Sequence, residues 1–246
     1  MRQFGLLAMA VALLFTFSRS LAAETCEGLF TPEAWTVSDQ VQKNRFITDR
    51  DLSEYLHQLH PDFVAALRNL RSDQHWVDLG AGKAIAQIDY LKSFDKISEA
   101  PLATAVAYKL DRWFRPSSHH GKLEIREGAF EAQDTASWKK ADVITDVMGV
   151  ISYTKDLTTT LQKVFDLLNV HGELYLEFSP AATNIKTSET SHKLLGFLAR
   201  IDGITVTGQY GIVKIVKLKE KIVVPQLEIM SYKEEYPPYR TFRLVE

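Results

Sequence analysis

The chain has 246 residues, carries a formal net charge of −2 and is 46% apolar. A chain of this length can bury a full hydrophobic core without disulfides or metals, so we expect one α/β domain with modest extensions. The near-neutral charge excludes a protein that holds nucleic acid through bulk positive charge, and no nucleic-acid partner is expected.

The N-terminus has the order of a secretory signal peptide. Arg2 precedes an apolar run over residues 4–17, and small residues suited to cleavage follow at Ala22 and Ala23. The run is shorter than the roughly 20 residues that a membrane-spanning helix needs. We therefore predict export to the periplasm or the medium, with no membrane span after cleavage. An uncleaved membrane anchor is the alternative.

Cysteine and histidine usage indicates no metal site. Cys26 is the only cysteine, which excludes an intramolecular disulfide. The pair His119 and His120 lies among Ser, Pro and Gly, which is typical of a loop. No cluster of Cys and His has the spacing of a zinc site, so no metal is predicted.

Two short helices are predicted ahead of the first strand. Apolar residues recur at helical spacing over residues 52–59 and again from Phe63 to Leu70, with Pro61 between the two runs. Thr48 and Asp51 have the spacing of a capping box, which predicts that the first helix begins there.

Strand and helix signals alternate from residue 75 onward. The predicted strands are 75–79, 103–108, 122–126, 141–146 and 173–178, and the predicted helices are 84–94, 157–168 (ended by Gly172) and 192–201. Residues 204–207 and 212–218 flank a Gly-rich turn and predict a closing hairpin, and the tail from Ile222 is predicted to be irregular or edge structure. This alternation predicts an α/β fold with a doubly wound, mostly parallel seven-stranded sheet and a C-terminal antiparallel hairpin.

The first predicted strand runs into a glycine turn, D-L-G-A-G at residues 78–82. Gly80 and Gly82 lack Cβ atoms, so the backbone can turn sharply and approach a ligand at the amino end of the next helix. A dinucleotide site needs a third glycine where the sequence has Ile85, which disfavours an NAD-linked reductase. The carboxylate of Asp78 suits a cationic cofactor better than a pyrophosphate.

Three segments together resemble the class I S-adenosylmethionine (SAM)-dependent methyltransferases. Residues 77–84, V-D-L-G-A-G-K-A, are similar to the D-x-G-x-G-x-G of that family, with Ala84 in the place of the third glycine. Residues 141–148 resemble the fourth-strand motif, and 167–176 resemble the segment that leads into the fifth strand. The resemblance covers about residues 52–218 and implies SAM as the cofactor.

The same resemblance implies where the cofactor binds. The residues implied to line its methionine and ribose parts are Asp78, Gly80, Ala81 and Gly82. Those implied to lie near the adenine are Gly128, Ala129 and Phe130. Asp146 and Met148 are implied to floor the site where the methyl group leaves. Where the family usually has an acid for the ribose hydroxyls, this sequence has Tyr108, with Asp111 three residues later.

Several of these residues also have a purely structural interpretation. Asp78 would then cap the following helix or bind a backbone amide, and Asp146 would be a turn residue at a strand end. Phe130 and Met148 would belong to the core, and Tyr153 would pack rather than contact a substrate. No general base is predicted, since methyl transfer depends chiefly on the alignment of the two reactants.

We divide the chain into a signal peptide at 1–23, an N-terminal helical lead-in or lid at 24–72 and a SAM-binding, methyltransferase-like domain at 73–246. The leading hypothesis is a methyltransferase acting on an unidentified small-molecule or protein acceptor. The alternative is an exported, non-catalytic binding or interaction protein that retains this fold. It is favoured by the signal peptide, because SAM is made in the cytoplasm, and by Tyr108 and Ala129 at the ribose and adenine positions.

Overall fold

A computed structural model of the chain describes residues 49–109, 121–233 and 237–245. The predicted signal peptide and the features named above at Cys26, Thr48, Asp111, His119 and His120 lie outside the described residues. Within them, no helix combines the length and the hydropathy that crossing a bilayer requires.

The described residues form six α-helices, three short 3₁₀ helices and eleven strands. The α-helices are α1 (Leu52–Gln58), α2 (Asp62–Arg68), α3 (Ile85–Lys92), α4 (Val150–Tyr153), α5 (Leu157–Leu167) and α6 (Leu194–Leu198). The strands are β1 (His75–Leu79), β2 (Leu102–Ala107), β3 (Leu123–Glu127), β4 (Ala141–Val147), β5 (Leu168–Glu177), β6 (Thr183–Lys186), β7 (Ser191–Lys193), β8 (Ile204–Gln209), β9 (Ile212–Lys217), β10 (Leu227–Lys233) and β11 (Tyr239–Leu244).

The main sheet has seven strands in the order β3-β2-β1-β4-β5-β9-β8. Strands β1 to β5 are parallel, and β9 runs antiparallel to both β5 and β8. The strand order reverses between β1 and β4, and ligands bind beyond the carboxyl ends of the strands at such a point. The predicted doubly wound, mostly parallel sheet with its closing hairpin is therefore confirmed.

Aromatic packing fixes the two lead-in helices against one face of this sheet. Phe63 of α2 lies with its ring centroid 6.0 Å from Trp76 and 5.2 Å from Tyr175. Trp76 also meets Tyr90 of α3 edge to face at 5.4 Å. The alternation of side chains along β1 and β5 sends these aromatic rings to the same face. This face therefore carries α1, α2 and α3, and α5 covers the other.

A second sheet of four strands, in the order β10-β11-β6-β7, was not predicted. The tail was predicted to be irregular or edge structure. This is confirmed for residues 222–226, which are irregular, and for β10, which forms an edge, but it is wrong for β11, which lies inside this sheet. The predicted helix 192–201 is also wrong at its start, because residues 191–193 pair with β6. Phe242 and Ile185 add to the main core, which explains why these segments become strands.

Arg240 fastens the second sheet to the loop after β4. Its side chain is only 2% exposed. One terminal nitrogen donates a hydrogen bond of 2.7 Å to the Thr154 carbonyl oxygen just after α4. The other donates to Thr183 Oγ1 at 2.7 Å. Burial lowers the pKa of this guanidinium to about 10. The position of α4 thus depends on a strand near the C-terminus.

Two local boundaries differ from the predictions. The first helix is capped by a box of Asp51 and Glu54, not of Thr48 and Asp51, and begins at Leu52. Gly172 does not end a helix, because α5 stops at Leu167 and β5 begins at once. The extra residues form an irregularity in the pairing of β4 with β5, where His171 adopts a φ of +65°.

Candidate functional site

The loops after β1 and β4 touch each other through two glycines. Gly80 has a φ of +91°, a conformation that strains any residue with a Cβ atom. A Cβ on Gly80 would lie 2.7 Å from the Gly149 Cα atom, and a Cβ on Gly149 would collide with the Leu79 carbonyl oxygen. Only glycine permits this approach, which brings the predicted glycine turn against the end of β4.

The turn uses the left-handed region of backbone conformation at two further positions. Gly82 has a φ of +55°, and Ala84 precedes α3 in the left-handed conformation with a φ of +58°. Ala84 thus adopts the left-handed conformation although it carries a Cβ atom. The amides of Gly80 and Ala81 both donate to the Val106 carbonyl oxygen at 2.9 Å, which anchors the turn to β2.

Asp78 lies beneath this turn and is fully buried. Its Oδ2 atom accepts hydrogen bonds from the Tyr55 hydroxyl and from Gln87 Nε2, both at 2.7 Å. Its Oδ1 atom accepts from Thr145 Oγ1 at 2.7 Å. Burial raises the pKa of this carboxyl, and the three hydrogen bonds oppose that rise. The structural interpretation expected Asp78 to cap a helix or bind a backbone amide, but it accepts hydrogen bonds from three side chains instead. These bonds connect α1, α3 and β4 to the end of β1.

We expect Asp78→Asn to lower the free energy of unfolding by about 2–3 kcal/mol, measured by urea denaturation. An asparagine offers one acceptor oxygen, so its amide group would face donors that then lack an acceptor, each costing about 1–3 kcal/mol. Asp89→Asn on α3 is the control, because Asp89 is only half-buried and should change stability less. Equal losses in both variants would contradict the role assigned to Asp78.

Gln87 leaves an unsatisfied acceptor in the same place. Its Nε2 donates to Asp78, which fixes the amide orientation because a carboxylate can only accept. Its Oε1 is buried and has no hydrogen-bond partner in the part of the chain that the structure describes. Such an atom costs about 1–3 kcal/mol unless a donor reaches it. A ligand that reached this atom would have to offer a hydrogen-bond donor, and the neighbouring Asp78 carboxylate would favour a cationic one.

Asp146 has a structural place at the end of β4. It is buried, and its two carboxylate oxygens accept from the amides of Gly149 and Ile151, both at 2.7 Å. Burial raises its pKa to about 7. It therefore shapes the turn into α4, in agreement with its interpretation as a turn residue. Met148 stands beside it, half-buried and with a φ of +46°, at the crevice between the strand ends.

The ends of β2 and β3 border the opposite part of the crevice. Tyr108 follows β2 and is 58% exposed. Gly128 and Ala129 follow β3 and are half-buried, and nothing lies within 4 Å of a Cβ placed on Gly128. Phe130 is buried and packs edge to face on Trp138 at 6.2 Å, so its side chain belongs to the core. The open position is therefore at Gly128 and Ala129.

Two residues at this edge of the sheet were not among the predicted site residues. Arg50 precedes α1 and donates a hydrogen bond of 2.6 Å to the Val147 carbonyl oxygen, which places its charge over the end of β4. Glu177 ends β5 and is half-buried, and burial raises its pKa. The sequence offered a reason to consider Glu177, since it is an acid at the end of a predicted buried strand. It offered no comparable reason to consider Arg50.

No protein-family model matches the sequence, and no curated protein matches it. Among solved structures, an rRNA methylase from Streptococcus thermophilus matches with 16% identity and a TM-score of 0.41, over 65% of this chain and 96% of that one. DszA carbon methyltransferase matches with 16% identity and a TM-score of 0.44, over 70% of this chain and 53% of its own length. A precorrin-6y C5,15-methyltransferase from Geobacter metallireducens matches with 15% identity and a TM-score of 0.40, over 70% and 94%.

The order of the main sheet agrees with the fold that the resemblance implied. Strand β1 lies at its centre, β9 is inserted antiparallel between β5 and β8, and the glycine turn follows β1. The chain therefore has a doubly wound, Rossmann-like α/β fold with an antiparallel closing hairpin.

Proposed function

We propose that this protein binds SAM and transfers its methyl group to a small-molecule or protein acceptor. The observation that carries the proposal is the unsatisfied Gln87 Oε1 atom beside the Asp78 carboxylate, at the glycine turn. SAM, when bound, supplies an electrophilic methyl group on a sulfonium and an ammonium group that donates hydrogen bonds. Gln87 is the residue that would accept from that ammonium.

The other predicted residues would act around this contact. Asp78 would act through Gln87 and the turn, because its oxygens already accept three hydrogen bonds. Gly80 and Gly82 would let the backbone approach the ligand. The half-buried Ala129 would border the adenine, and the exposed Tyr108 would stand where the family usually places its ribose-binding acid.

Calorimetric titration of the purified protein with SAM, and with its product S-adenosylhomocysteine, tests the proposal. We expect binding of both, and we expect Gln87→Met to weaken SAM about tenfold, since one hydrogen bond to a charged group contributes about 1.5–3 kcal/mol. Gln209→Met is the control, because Gln209 is exposed in the hairpin of β8 and β9. If the unmodified protein binds neither compound, the proposal is wrong.

The second candidate is an exported binding or interaction protein without catalytic activity. The signal-peptide pattern at residues 1–23 favours it, because SAM is made in the cytoplasm, and so does Tyr108 at the ribose position. Fractionation of cells that carry a tagged chain tests export. Transfer of label from methyl-labelled SAM into a cell-envelope extract would exclude this candidate.

A further inference from the structure

Three carboxylates lie at the carboxyl ends of β1, β4 and β5, and they differ in burial and in their hydrogen-bond partners. Asp78 and Asp146 are fully buried, and each has both oxygens engaged in hydrogen bonds. Glu177 is half-buried, and among the described residues nothing donates a hydrogen bond to its carboxylate. Of the three, Glu177 is therefore the carboxylate that can contact a molecule entering the crevice.

The register of the sheet places Glu177 beside the loop that follows β4. It pairs with Val147 at the end of β4, and its carbonyl oxygen accepts from the Met148 amide at 2.8 Å. Neighbouring strands lie about 4.8 Å apart, so Glu177 borders the loop that the resemblance makes the floor under the leaving methyl group. Side chains alternate along β5, so Glu177 shares a face with Tyr175, on the side covered by α1 and α2.

The surroundings of Glu177 make its carboxylate a better proton acceptor than an exposed glutamate. Burial raises its pKa, and the positive charge of Arg50 opposes that rise. The ionisable side chains on the neighbouring elements include Glu54, Tyr55 and His57 of α1, Asp78 of β1, Asp146 of β4 and Lys214 of β9. Lys214 is already paired with Glu173 at 2.7 Å and Asp62 at 2.9 Å, which leaves Arg50 as the charge acting on Glu177.

We propose that Glu177 is the general base of the transfer and that the acceptor carries an O–H or N–H nucleophile. This inference rests on the proposed function. The acceptor's O–H or N–H bond breaks and its proton passes to Glu177, while a bond forms between that O or N atom and the methyl carbon. The electron pair of the sulfur–carbon bond stays on sulfur. A carboxylate acceptor has no proton to give and is repelled by Glu177, so carboxyl methylation is excluded.

The test compares the full chain with Glu177→Gln, Glu177→Asp and, as a matched control, Glu189→Gln, which changes an exposed acid in the loop between β6 and β7. Calorimetry measures SAM binding, and methyl-labelled SAM with a cell-envelope extract gives initial rates of transfer from pH 5 to 9. Labelled products are treated with alkali, which releases methanol from methyl esters only. Carbon-13 NMR of labelled glutamates follows the Glu177 carboxyl through its titration without any turnover.

General base catalysis contributes about 10²–10⁴-fold, so Glu177→Gln should slow transfer at least a hundredfold. SAM affinity should change less than threefold, the acidic limb of the pH profile should disappear, and Glu177→Asp should recover part of the rate. The label should resist alkali, and the NMR titration should show a raised pKa for Glu177.

Three results would each contradict the proposal that Glu177 is the general base. They are a label that alkali releases, an unchanged rate in Glu177→Gln and an ordinary pKa for Glu177. If the protein bound SAM but transferred no label into the extract, the proposal would also be wrong, and the result would favour a binding protein without catalytic activity. Failure to bind SAM would instead remove the proposed function on which the base depends.

Discussion

Replacing Gly149 with alanine is expected to lower the free energy of unfolding by about 3 kcal/mol or more, measured by urea denaturation. The expected effect is a steric collision with neighbouring backbone and side-chain atoms. The added Cβ would collide with the Leu79 carbonyl oxygen and lie 2.6 Å from Asp146 Oδ1. Overpacking usually costs about 1–3 kcal/mol, and backbone atoms on β1 cannot move aside as a side chain can.

Gly196→Ala is the matched control for this substitution. Gly196 lies in α6, and the only atom near an added Cβ is the His192 Cβ at 3.8 Å. Alanine there should stabilise the protein by about 0.5–1 kcal/mol, because glycine is a poor residue inside a helix. If Gly149→Ala were as stable as the unmodified protein, the contact between the β1 and β4 loops would not be as close as described.

The second large effect concerns the pH dependence of stability. Burial raises the pKa of Asp146 to about 7 from an ordinary value of 3.8. The folded state therefore holds a proton that the unfolded state has lost between about pH 4 and 7, so this carboxyl makes stability fall as pH rises across that window. At 1.36 kcal/mol per pH unit, the loss is at most about 4 kcal/mol.

Urea denaturation of Asp146→Asn from pH 4 to pH 8 measures this effect. The variant should be less stable than the unmodified protein at pH 4, because its amide group faces one of the two backbone amides that Asp146 accepts from. With rising pH the difference should shrink or reverse. Asp62→Asn is the control, because Lys214 lowers the pKa of the exposed Asp62 and places its titration at acid pH. A constant difference between Asp146→Asn and the unmodified protein would show that Asp146 does not titrate in this range.

The main sheet was predictable because its signals are local. Strands β2 and β4 are largely apolar runs, β3 alternates apolar and charged residues, and α5 has one apolar face, so the order of elements follows from the sequence. The second sheet was not predictable, since β6 and β11 are 57 residues apart where Arg240 meets Thr183. Polar residues 191–193 become a strand only because β6 offers unpaired backbone groups, which no local pattern reveals.

The candidate site divides in the same way. The sharp turn of the backbone at Gly80 and Gly82 was predicted, because glycine adopts positive φ values without strain. The side-chain partners of Asp78 were not, since Tyr55 and Thr145 reach it from elements 23 and 67 residues away. The sequence could not tell whether Phe130 lines a ligand pocket or belongs to the core, because an aromatic residue after a strand is compatible with both. Its burial in the structure assigns it to the core.

The hydrogen bond from Arg240 to Thr154 has a consequence for the order of folding. It joins residues 86 positions apart, so a ribosome must add most of the second half of the chain after α4 before this bond can form. Contacts that close long loops form late, because closing the loop reduces the conformational entropy of the chain before the contact can stabilise it. The seven-stranded sheet can therefore assemble while α4 is still unanchored. A chain that ended before β11 would lack both Phe242 in its core and the support beneath one wall of its crevice.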